Sequence, residues 1–487
     1  MAPRQIQVTS TLSGKKEPLT SLETGHIKIY ACGVTVYDHC HIGHAMQAIF
    51  FDMIRRYLTF ADWKVTYVRN YTDVDDKIID RAKETGVSPR ELSERIIASS
   101  QKDMAALDVL PADHEPKVSE SIPEIIALIE DIIAEGAAYQ TEDGDVYYRV
   151  RSKKDYGKLS NRKPDELKSG TRDVAIGQKE DPLDFALWKK DDVEGASWQS
   201  PWGVGRPGWH IECSAMAKKF LGKSFDIHGG GRDLVFPHHE NEIAQSESGN
   251  KEPYASYWLH SGLLTINKQK MSKSLNNHIT IADFLEKWPS EVLRLAYLQN
   301  HYVSNVDFNE GVFGSCAKRL LFFYETLLQL DALGEKGDLE GGLLEGHNPK
   351  GLVEEFHSNM SNDFGTPAAL RDLLAAFKKA RELTSLKKSA AKHNTAKAYA
   401  SQLRQLFGVL GLLTKEPASF IEELKGKVLV TLDITQVEID KAIEDRKKAR
   451  SDKDFQKSDD IRDFLLEKGI VLMDTPNGTI WTLSFSE

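Results

Sequence analysis

Two histidines lie three residues apart in His41-Ile42-Gly43-His44, where a stretch with helical periodicity begins. The first turn of a helix offers unpaired backbone N–H groups and the positive end of the helix dipole, and both suit a phosphate group. Gly43 would let a ligand approach the backbone closely. The spacing therefore indicates a phosphate site at the start of a helix, although a pair of surface histidines in a loop fits the same four residues.

A second group that could do chemistry is Lys270-Met271-Ser272-Lys273-Ser274. Two ammonium groups and two hydroxyls within five residues can neutralise the charge that develops on a pyrophosphate leaving group. By itself, such a short peptide is more typical of a solvated basic loop. A phosphate-binding helix start followed about 230 residues later by a lysine loop, however, resembles the paired signatures of class I aminoacyl-tRNA synthetases.

Four residues of metal-binding type are spread over the first half of the chain. His238 and Glu242 are four residues apart, so in a helix they would lie on one face, as ligands of a shared metal must. Cys32 ends a predicted strand and Cys213 follows much later; two thiolates, an imidazole and a carboxylate form a plausible zinc set. Spacing alone does not bring the two cysteines together, and each cysteine alone also fits a small buried hydrophobic residue.

The elements around these residues predict a parallel sheet. Residues 27–32 alternate as a strand does, apolar residues recur at helical spacing from Ile42, and residues 63–67 alternate again. A strand, a helix and a strand within about 45 residues form a βαβ unit, which implies an α/β domain with parallel strands. Ligands of such sheets bind at the carboxyl ends of the strands, here residues 32–44 and 70–76.

Composition excludes several classes of protein. The 487 residues carry a formal net charge of −10, so the chain is not a uniformly basic nucleic-acid binder. Four cysteines are too few for a disulfide scaffold of this size, and Cys40 and Cys316 are interpreted as buried hydrophobic residues. The N-terminus lacks an apolar signal region and no stretch approaches 18 apolar residues. We therefore expect a soluble, cytoplasmic protein of several domains with reduced thiols.

Longer stretches resemble the cysteinyl-tRNA synthetase family of class I, in its bacterial type. The resembling stretches are residues 32–38, 41–44, 67–77, 201–213, 225–231, 236–245 and 270–274. The resemblance implies one Zn²⁺ per chain, held by Cys32, Cys213, His238 and Glu242, that takes the thiolate of the substrate. Zinc favours sulfur over the harder, far more basic hydroxyl of serine, and a site built on one specific bond needs no editing.

The resemblance also implies a reaction and the residues that serve it. The reaction is activation of L-cysteine with ATP and Mg²⁺ to cysteinyl-adenylate, followed by transfer to tRNA(Cys). The implied cysteine-binding residues are Gly33, Thr35, Thr72 and Trp209. The implied ATP-binding residues are His41, Gly43, His44, Asp233, Lys270 and Lys273, of which His41, His44, Lys270 and Lys273 are also catalytic. Ala45-Met46 and Asn276 depart from the commonest pattern of the family without removing any of these residues.

The domain organisation follows from composition and from the same resemblance. The first predicted unit is a Rossmann-like class I catalytic domain over residues 1–315. It contains an inserted connective subdomain at about 111–205, and a stem-contact region follows at about 275–330. The remaining units are a Gly-rich linker over 331–351, an α-helical bundle over 352–415 and a small C-terminal anticodon-binding region over 428–487. The length, typical of the bacterial type, suggests a monomer.

Two other functions compete with this interpretation. A ligase that joins activated cysteine to an amino sugar in mycothiol biosynthesis would share the zinc and ATP sites but has no use for anticodon contacts. The long tail, with seven basic against four acidic residues over 441–457, favours the tRNA enzyme, although most charge runs are solvated helix faces. A purely structural zinc protein would leave the histidine and lysine motifs unexplained.

Overall fold

The computed structural model describes residues 3–166, 179–271, 277–475 and 478–485. The chain divides into two compact units. The first comprises Met1–Leu263, Tyr302–Asn305 and Met360–Phe364, and the second comprises Leu264–His301, Val306–Asn359 and Gly365–Glu487.

The first unit contains ten strands and six helices among its described residues. The strands are β1 (Gln7–Ser10), β2 (Lys15–Pro18), β3 (His26–Thr35), β4 (Lys64–Thr72), β5 (Ala138–Gln140), β6 (Val146–Tyr148), β7 (Phe185–Lys190), β8 (Gly205–Pro207), β9 (Phe225–Gly231) and β10 (Ala255–Ser261). The helices are α1 (Ile42–Phe60), α2 (Asp76–Thr85), α3 (Pro89–Ala106), α4 (Ile122–Ala134), α5 (Trp209–Leu221) and α6 (Glu240–Asn250).

A four-stranded parallel sheet in the order β10-β9-β3-β4 forms the centre of this unit. Its strands are buried almost throughout, with α1 and α5 packed against it, as expected for a parallel sheet with covered faces. The predicted βαβ unit and the α/β fold class are confirmed. Thr35 and Thr72 pair at the carboxyl ends of β3 and β4, so the two strand ends lie side by side.

Strand β3 of the parallel sheet is longer than the alternation of its residues predicts. The alternation over residues 27–32 predicts a strand that ends at Cys32, but β3 continues to Thr35, with a register shift between Ala31 and Val34. The reason is that β3 is buried on both faces, so its sequence need not alternate, and glycine can enter a strand where another backbone approaches closely.

Residues between 111 and 205 contribute α4 and an antiparallel sheet. The helix α4 precedes the sheet in the chain, and the sheet has the order β5-β6-β7-β8. Trp188 and Tyr148 of this sheet are fully buried and belong to the same hydrophobic core as Tyr30 of β3 and Ile129 of α4. The inserted sheet therefore shares a core with the parallel sheet.

The second unit is mainly helical. Its strands are β11 (Leu264–Ile266), β12 (Gln269–Lys270), β13 (Val306–Phe308), β14 (Ile470–Thr475) and β15 (Gly478–Leu483). Its helices are α7 (Ile281–Lys287), α8 (Ser290–Leu298), α9 (Glu310–Gly334), α10 (Leu352–Met360, whose last residue falls in the first unit), α11 (Thr366–Glu382), α12 (Ala390–Val409), α13 (Pro417–Thr431), α14 (Gln436–Ser451) and α15 (Phe455–Glu467).

Rings from three helices form the core of this unit. Phe323 of α9 stacks on Phe377 of α11 at 4.5 Å between ring centroids and meets Phe407 of α12 edge-on at 5.1 Å. Helix α13 begins at Pro417, because proline is well tolerated in the first turn of a helix. None of the helices in the described ranges is long and apolar enough to cross a membrane.

Candidate metal and substrate site

Four predicted metal ligands meet at the carboxyl end of β3. Cys32 comes from β3, Cys213 from α5, and His238 and Glu242 from the turn before α6 and from α6 itself. One donor atom of each residue lies within 4.8 Å of all the others, and all four side chains are buried. The sequence could not show this convergence, which depends on α5 packing against β3.

The distances within this set are those of donors facing a common centre. Cys32 Sγ lies 3.8 Å from Cys213 Sγ and 3.4 Å from Glu242 Oε1. His238 Nε2 lies 3.1 Å from the same Glu242 oxygen, which confirms that residues 238 and 242 share one face. His238 lies in the turn Val235–His239, however, and α6 begins only at Glu240.

Burial, hydrogen bonds and charges within the set shift the pKa values of its donors in different directions. The Cys32 thiol donates to Cys213 and lowers the pKa of Cys213 to about 6, whereas burial holds the pKa of Cys32 well above its usual value. Burial would lower the pKa of His238, but the charge of Glu242 outweighs it and raises that pKa to about 10. Thiolate, imidazole and carboxylate donors in a buried pocket are a set that fits zinc.

A second group of donors overlaps the first. Cys32, His228, His239 and Glu242 also place their ligand atoms within 4.8 Å of one another. His239 Nε2 lies 3.3 Å from Cys32 Sγ, and its Nδ1 lies 2.8 Å from His260 Nε2. The two groups share Cys32 and Glu242, and the group that contains both cysteines has the softer donors. Sequence reasoning missed His228 and His239, because nothing in the spacing distinguishes His239 from its neighbour His238.

The predicted cysteine-binding residues surround the same strand ends. The backbone N–H of Gly33 donates to Asn70 Oδ1 at 2.9 Å, and Thr72 Oγ1 donates to Glu212 Oε2 at 3.4 Å. Thr35 pairs with Thr72 in the sheet register. The Trp209 ring stacks on the His238 ring at 4.2 Å between centroids and is 40% exposed.

Three further residues near this site are not among the individually predicted site residues. Gln47 of α1 donates from Nε2 to the carbonyl oxygen of Cys32 at 2.6 Å. Asn70 Oδ1, besides accepting from Gly33, lies 3.9 Å from Cys213 Sγ. Tyr254, just before β10, donates its hydroxyl to Glu242 Oε2 at 3.1 Å. All three act through contacts far apart in sequence, so no local pattern could reveal them.

The two motif histidines form the first turn of α1. His41 is the N-cap residue, and the two side chains exchange hydrogen bonds with each other's backbone N–H at 3.3 and 3.4 Å. Their rings stack at 3.7 Å between centroids, and Gly43 is the second residue of the helix. His44 also lines a small cavity of about 30 Å³ together with Cys32 and Gly33, so this helix start adjoins the cluster of donors.

Asp233 lies in a larger cavity of the same unit. This cavity has a volume of about 520 Å³, and Thr11, Arg162, Arg232 and His260 also line it. Asp233 follows the three glycines that end β9.

The predicted Lys270 lies in the second unit of the chain. Lys270 ends β12 and is exposed, and its carbonyl oxygen accepts a hydrogen bond from Asn277 at 3.2 Å. Lys273 falls outside the described residues, as does Asn276.

Comparisons with known proteins agree with one another. The family described as "tRNA synthetases class I (C) catalytic domain" matches residues 18–318, and the family described as "DALR domain" matches residues 355–414. The cysteine–tRNA ligase of Desulfotalea psychrophila is 46% identical over 98% of this chain and 99% of its own length. The cysteine–tRNA ligase of Geobacter metallireducens is 47% identical with the same coverage of both chains.

Solved structures share the fold at much lower identity. A Mycobacterium tuberculosis methionyl-tRNA synthetase in complex with methionyl-adenylate is 13% identical, with a TM-score of 0.60 over 85% of this chain and 95% of that one. A putative arginyl-tRNA synthetase from Campylobacter jejuni is 14% identical, with a TM-score of 0.54 over 80% and 94% of the two chains. These structures show the fold, and the family match over residues 18–318 together with the full-length relatives establishes that the chain belongs to the cysteine–tRNA ligases, a family of class I aminoacyl-tRNA synthetase enzymes.

Proposed function

We propose that this ligase activates L-cysteine with ATP to cysteinyl-adenylate and transfers the cysteinyl group to tRNA(Cys), with selection of cysteine at a zinc site. The observation that carries the proposal is the buried set of Cys32, Cys213, His238 and Glu242, whose donor atoms lie within 4.8 Å of one another. Two thiols in that set suit a metal that prefers sulfur.

The four donors are the residues that would hold the zinc ion. When bound, zinc supplies a Lewis acid that favours the deprotonated thiol of cysteine over the hydroxyl of serine. The protein contributes the buried pocket, which excludes water, and the hydrogen bonds that fix the donor side chains. Because a hydrophobic pocket separates such near-isosteres poorly, one specific bond to sulfur accounts for selection without editing.

The rest of the amino acid would lie against the strand ends. Gly33, Thr35 and Thr72 lie at the carboxyl ends of β3 and β4, where Thr35 pairs with Thr72. Trp209, stacked on His238 and partly exposed, presents its free ring face as a wall of the pocket. These residues would orient the carboxylate of cysteine towards the α-phosphorus of ATP, and positioning of this kind supplies much of the catalysis.

ATP would bind with its phosphates at the start of α1. His41, Gly43 and His44 form that helix start, where N–H groups and the helix dipole favour negative charge. Asp233, in the cavity of about 520 Å³, would accept hydrogen bonds from the adenosine ribose. Lys270 and Lys273 would stabilise the charge that develops on pyrophosphate, with Mg²⁺ accompanying the nucleotide.

The C-terminal part of the chain would bind the tRNA. Basic side chains of α14 and the residues after it are exposed, among them Lys441, Lys447, Lys448, Lys453 and Lys457. Exposed lysines suit contact with a phosphate backbone. A ligase for an amino sugar would have no use for this region, and the relatives are named as cysteine–tRNA ligases over their full length.

The domain assignments complete the proposal. We assign catalysis to residues 1–315, which include the inserted connective subdomain at about 111–205, stem contacts to about 275–330 and anticodon binding to 428–487. The segments 331–351 and 352–415 would serve as linker and helical bundle. We further propose that the enzyme acts as a monomer in the cytoplasm, where tRNA is charged.

Charging of unfractionated bacterial tRNA tests the proposal. The purified protein is incubated with Mg-ATP and labelled cysteine, and a parallel reaction contains labelled serine. Acid-precipitable cysteine with serine near background is the expected result. Absence of charging with competent tRNA, together with formation of a cysteine–amino sugar conjugate, would contradict the proposal and favour the alternative ligase.

A further inference from the structure

The two carboxylate oxygens of Glu242 have different neighbours. Oε1 faces the other predicted ligands, at 3.4 Å from Cys32 Sγ and 3.1 Å from His238 Nε2. Oε2 points the other way, at 2.9 Å from His228 Nε2 and 3.1 Å from the hydroxyl of Tyr254. One oxygen is therefore directed at the cluster of donors, and the other is engaged by two hydrogen-bond partners.

Packing fixes both partners of Oε2. The His228 ring stacks on Trp258 at 4.3 Å between centroids with an interplanar angle of 11°. Tyr254 meets Phe225 edge-on at 5.1 Å. Among the described residues the Nδ1 atom of His228 has no hydrogen-bond partner, which is consistent with a tautomer whose proton lies on Nε2 and points at Glu242. Neither ring can turn away without disturbing the core of the first unit.

We propose that Tyr254 is a positioning residue for the metal: together with His228 it occupies Oε2 of Glu242 and leaves Oε1 as the single ligand oxygen. This inference rests on the proposed zinc set. A carboxylate with both oxygens free can bind a metal through one oxygen or through two. Hydrogen bonds to one oxygen remove that choice, and such outer partners typically contribute about 10- to 100-fold to metal affinity.

A single ligand oxygen also matters for the substrate. If Glu242 binds the metal through Oε1 alone, a position on the metal would remain for the thiolate of cysteine. Tyr254 therefore acts on cysteine selection without touching cysteine, through the orientation of Glu242.

A matched pair of tyrosine variants tests the inference. Tyr254→Phe removes the hydroxyl next to Glu242 Oε2. Tyr148→Phe removes an equally buried hydroxyl that contacts the same helix α6, at 2.8 Å from Ser248 Oγ and 3.1 Å from the carbonyl oxygen of Ala244. Zinc affinity is measured by competition with a chromophoric chelator, and the visible spectrum is recorded after replacement of zinc by Co²⁺.

We expect Tyr254→Phe to weaken zinc binding by about 10- to 100-fold and to change the Co²⁺ spectrum, while Tyr148→Phe retains the wild-type affinity and spectrum. Equal weakening in both variants would overturn the inference, because it would reflect general loosening of α6. Wild-type zinc affinity in Tyr254→Phe would overturn the inference about Tyr254 but leave the proposed zinc ligands unaffected. A wild-type protein that binds no zinc would overturn the zinc set together with it.

Discussion

Gly33 of β3 and Asn70 of β4 lie in direct backbone contact where the two strands end. The N–H of Gly33 donates to Asn70 Oδ1 at 2.9 Å, and a Cβ placed on Gly33 would overlap the carbonyl oxygen of Asn70. Asn70 Oδ1 also lies 3.9 Å from Cys213 Sγ, so this contact ties the strand ends to the cluster of donors. The close approach of the two backbones is what requires glycine after Cys32.

Substitution of Gly33 by alanine tests that requirement. The added methyl group must push β3 and β4 apart, and overpacking of this kind typically costs about 1–3 kcal/mol. We expect the free energy of unfolding of Gly33→Ala to fall by that amount in urea, and KM for cysteine to rise. Gly426→Ala in α13 is the control, because no atom lies within 4 Å of its added methyl group. Equal stability of the two variants would contradict the account.

Loss of one thiol should remove the zinc. Cys213→Ser replaces a soft thiolate by a weakly coordinating hydroxyl, so we expect zinc affinity to fall by more than the roughly 100-fold that outer partners contribute. Cys316→Ser is the matched control, since Cys316 is equally buried but outside both groups of donors. Zinc content after dialysis against a chelator is the measurement, and full retention in Cys213→Ser would refute the assigned ligand set.

The exposed ring of Trp209 should serve the substrate. Aromatic contacts of this kind are worth about 0.5–1.5 kcal/mol, so Trp209→Ala is expected to raise KM for cysteine by up to about tenfold. Trp209→Phe should recover most of that loss, because it restores a ring on His238. Cysteine-dependent ATP–pyrophosphate exchange measures KM for both variants. An unchanged KM in Trp209→Ala would show that the ring is merely structural.

A buried carboxyl in the second unit predicts a pH effect on stability. Glu291 of α8 accepts hydrogen bonds from the Tyr324 hydroxyl at 2.6 Å and from the Leu413 N–H at 2.9 Å. Burial raises its pKa above the ordinary value of 4.5 in spite of these bonds. Because the folded pKa is the higher one, the contribution of Glu291 to stability is complete below pH 4.5 and is lost as pH rises through the folded pKa.

Glu291→Gln isolates this effect, since glutamine does not titrate. The free energy of unfolding of the wild type, relative to this variant, should fall as pH increases from 4.5 through the raised pKa. Urea unfolding of both proteins at several pH values measures the difference. A difference that stays constant with pH would show that the pKa of Glu291 is not raised by folding.

Local patterns in the sequence predicted the helix start at Ile42, the strands around it and the pairing of His238 with Glu242. These features depend on residues close together in the chain, where periodicity reports directly on backbone geometry. The end of β3 was placed too early, because a strand buried on both faces need not alternate.

Other parts of the site depend on tertiary packing. Cys32 and Cys213 meet because α5 packs against β3, and Tyr254, which lies between α6 and β10, contacts Glu242 twelve residues earlier in the chain. The spacing of residues in the sequence does not predict such contacts. The sequence could therefore indicate the donor residues but not the residues that contact them in the fold. The roles of Lys270 and Lys273 stay predictions.

The central claim is that cysteine is selected by a bond between its thiolate and the metal held by Cys32, Cys213, His238 and Glu242. The most direct test is the ultraviolet charge-transfer absorption of the Co²⁺-substituted enzyme, which reports sulfur bound to the metal. Saturating L-cysteine should increase this absorption, because a third thiolate joins those of Cys32 and Cys213, and L-serine should leave it unchanged. An absorption that does not respond to cysteine, or that responds equally to serine, would contradict selection at the metal.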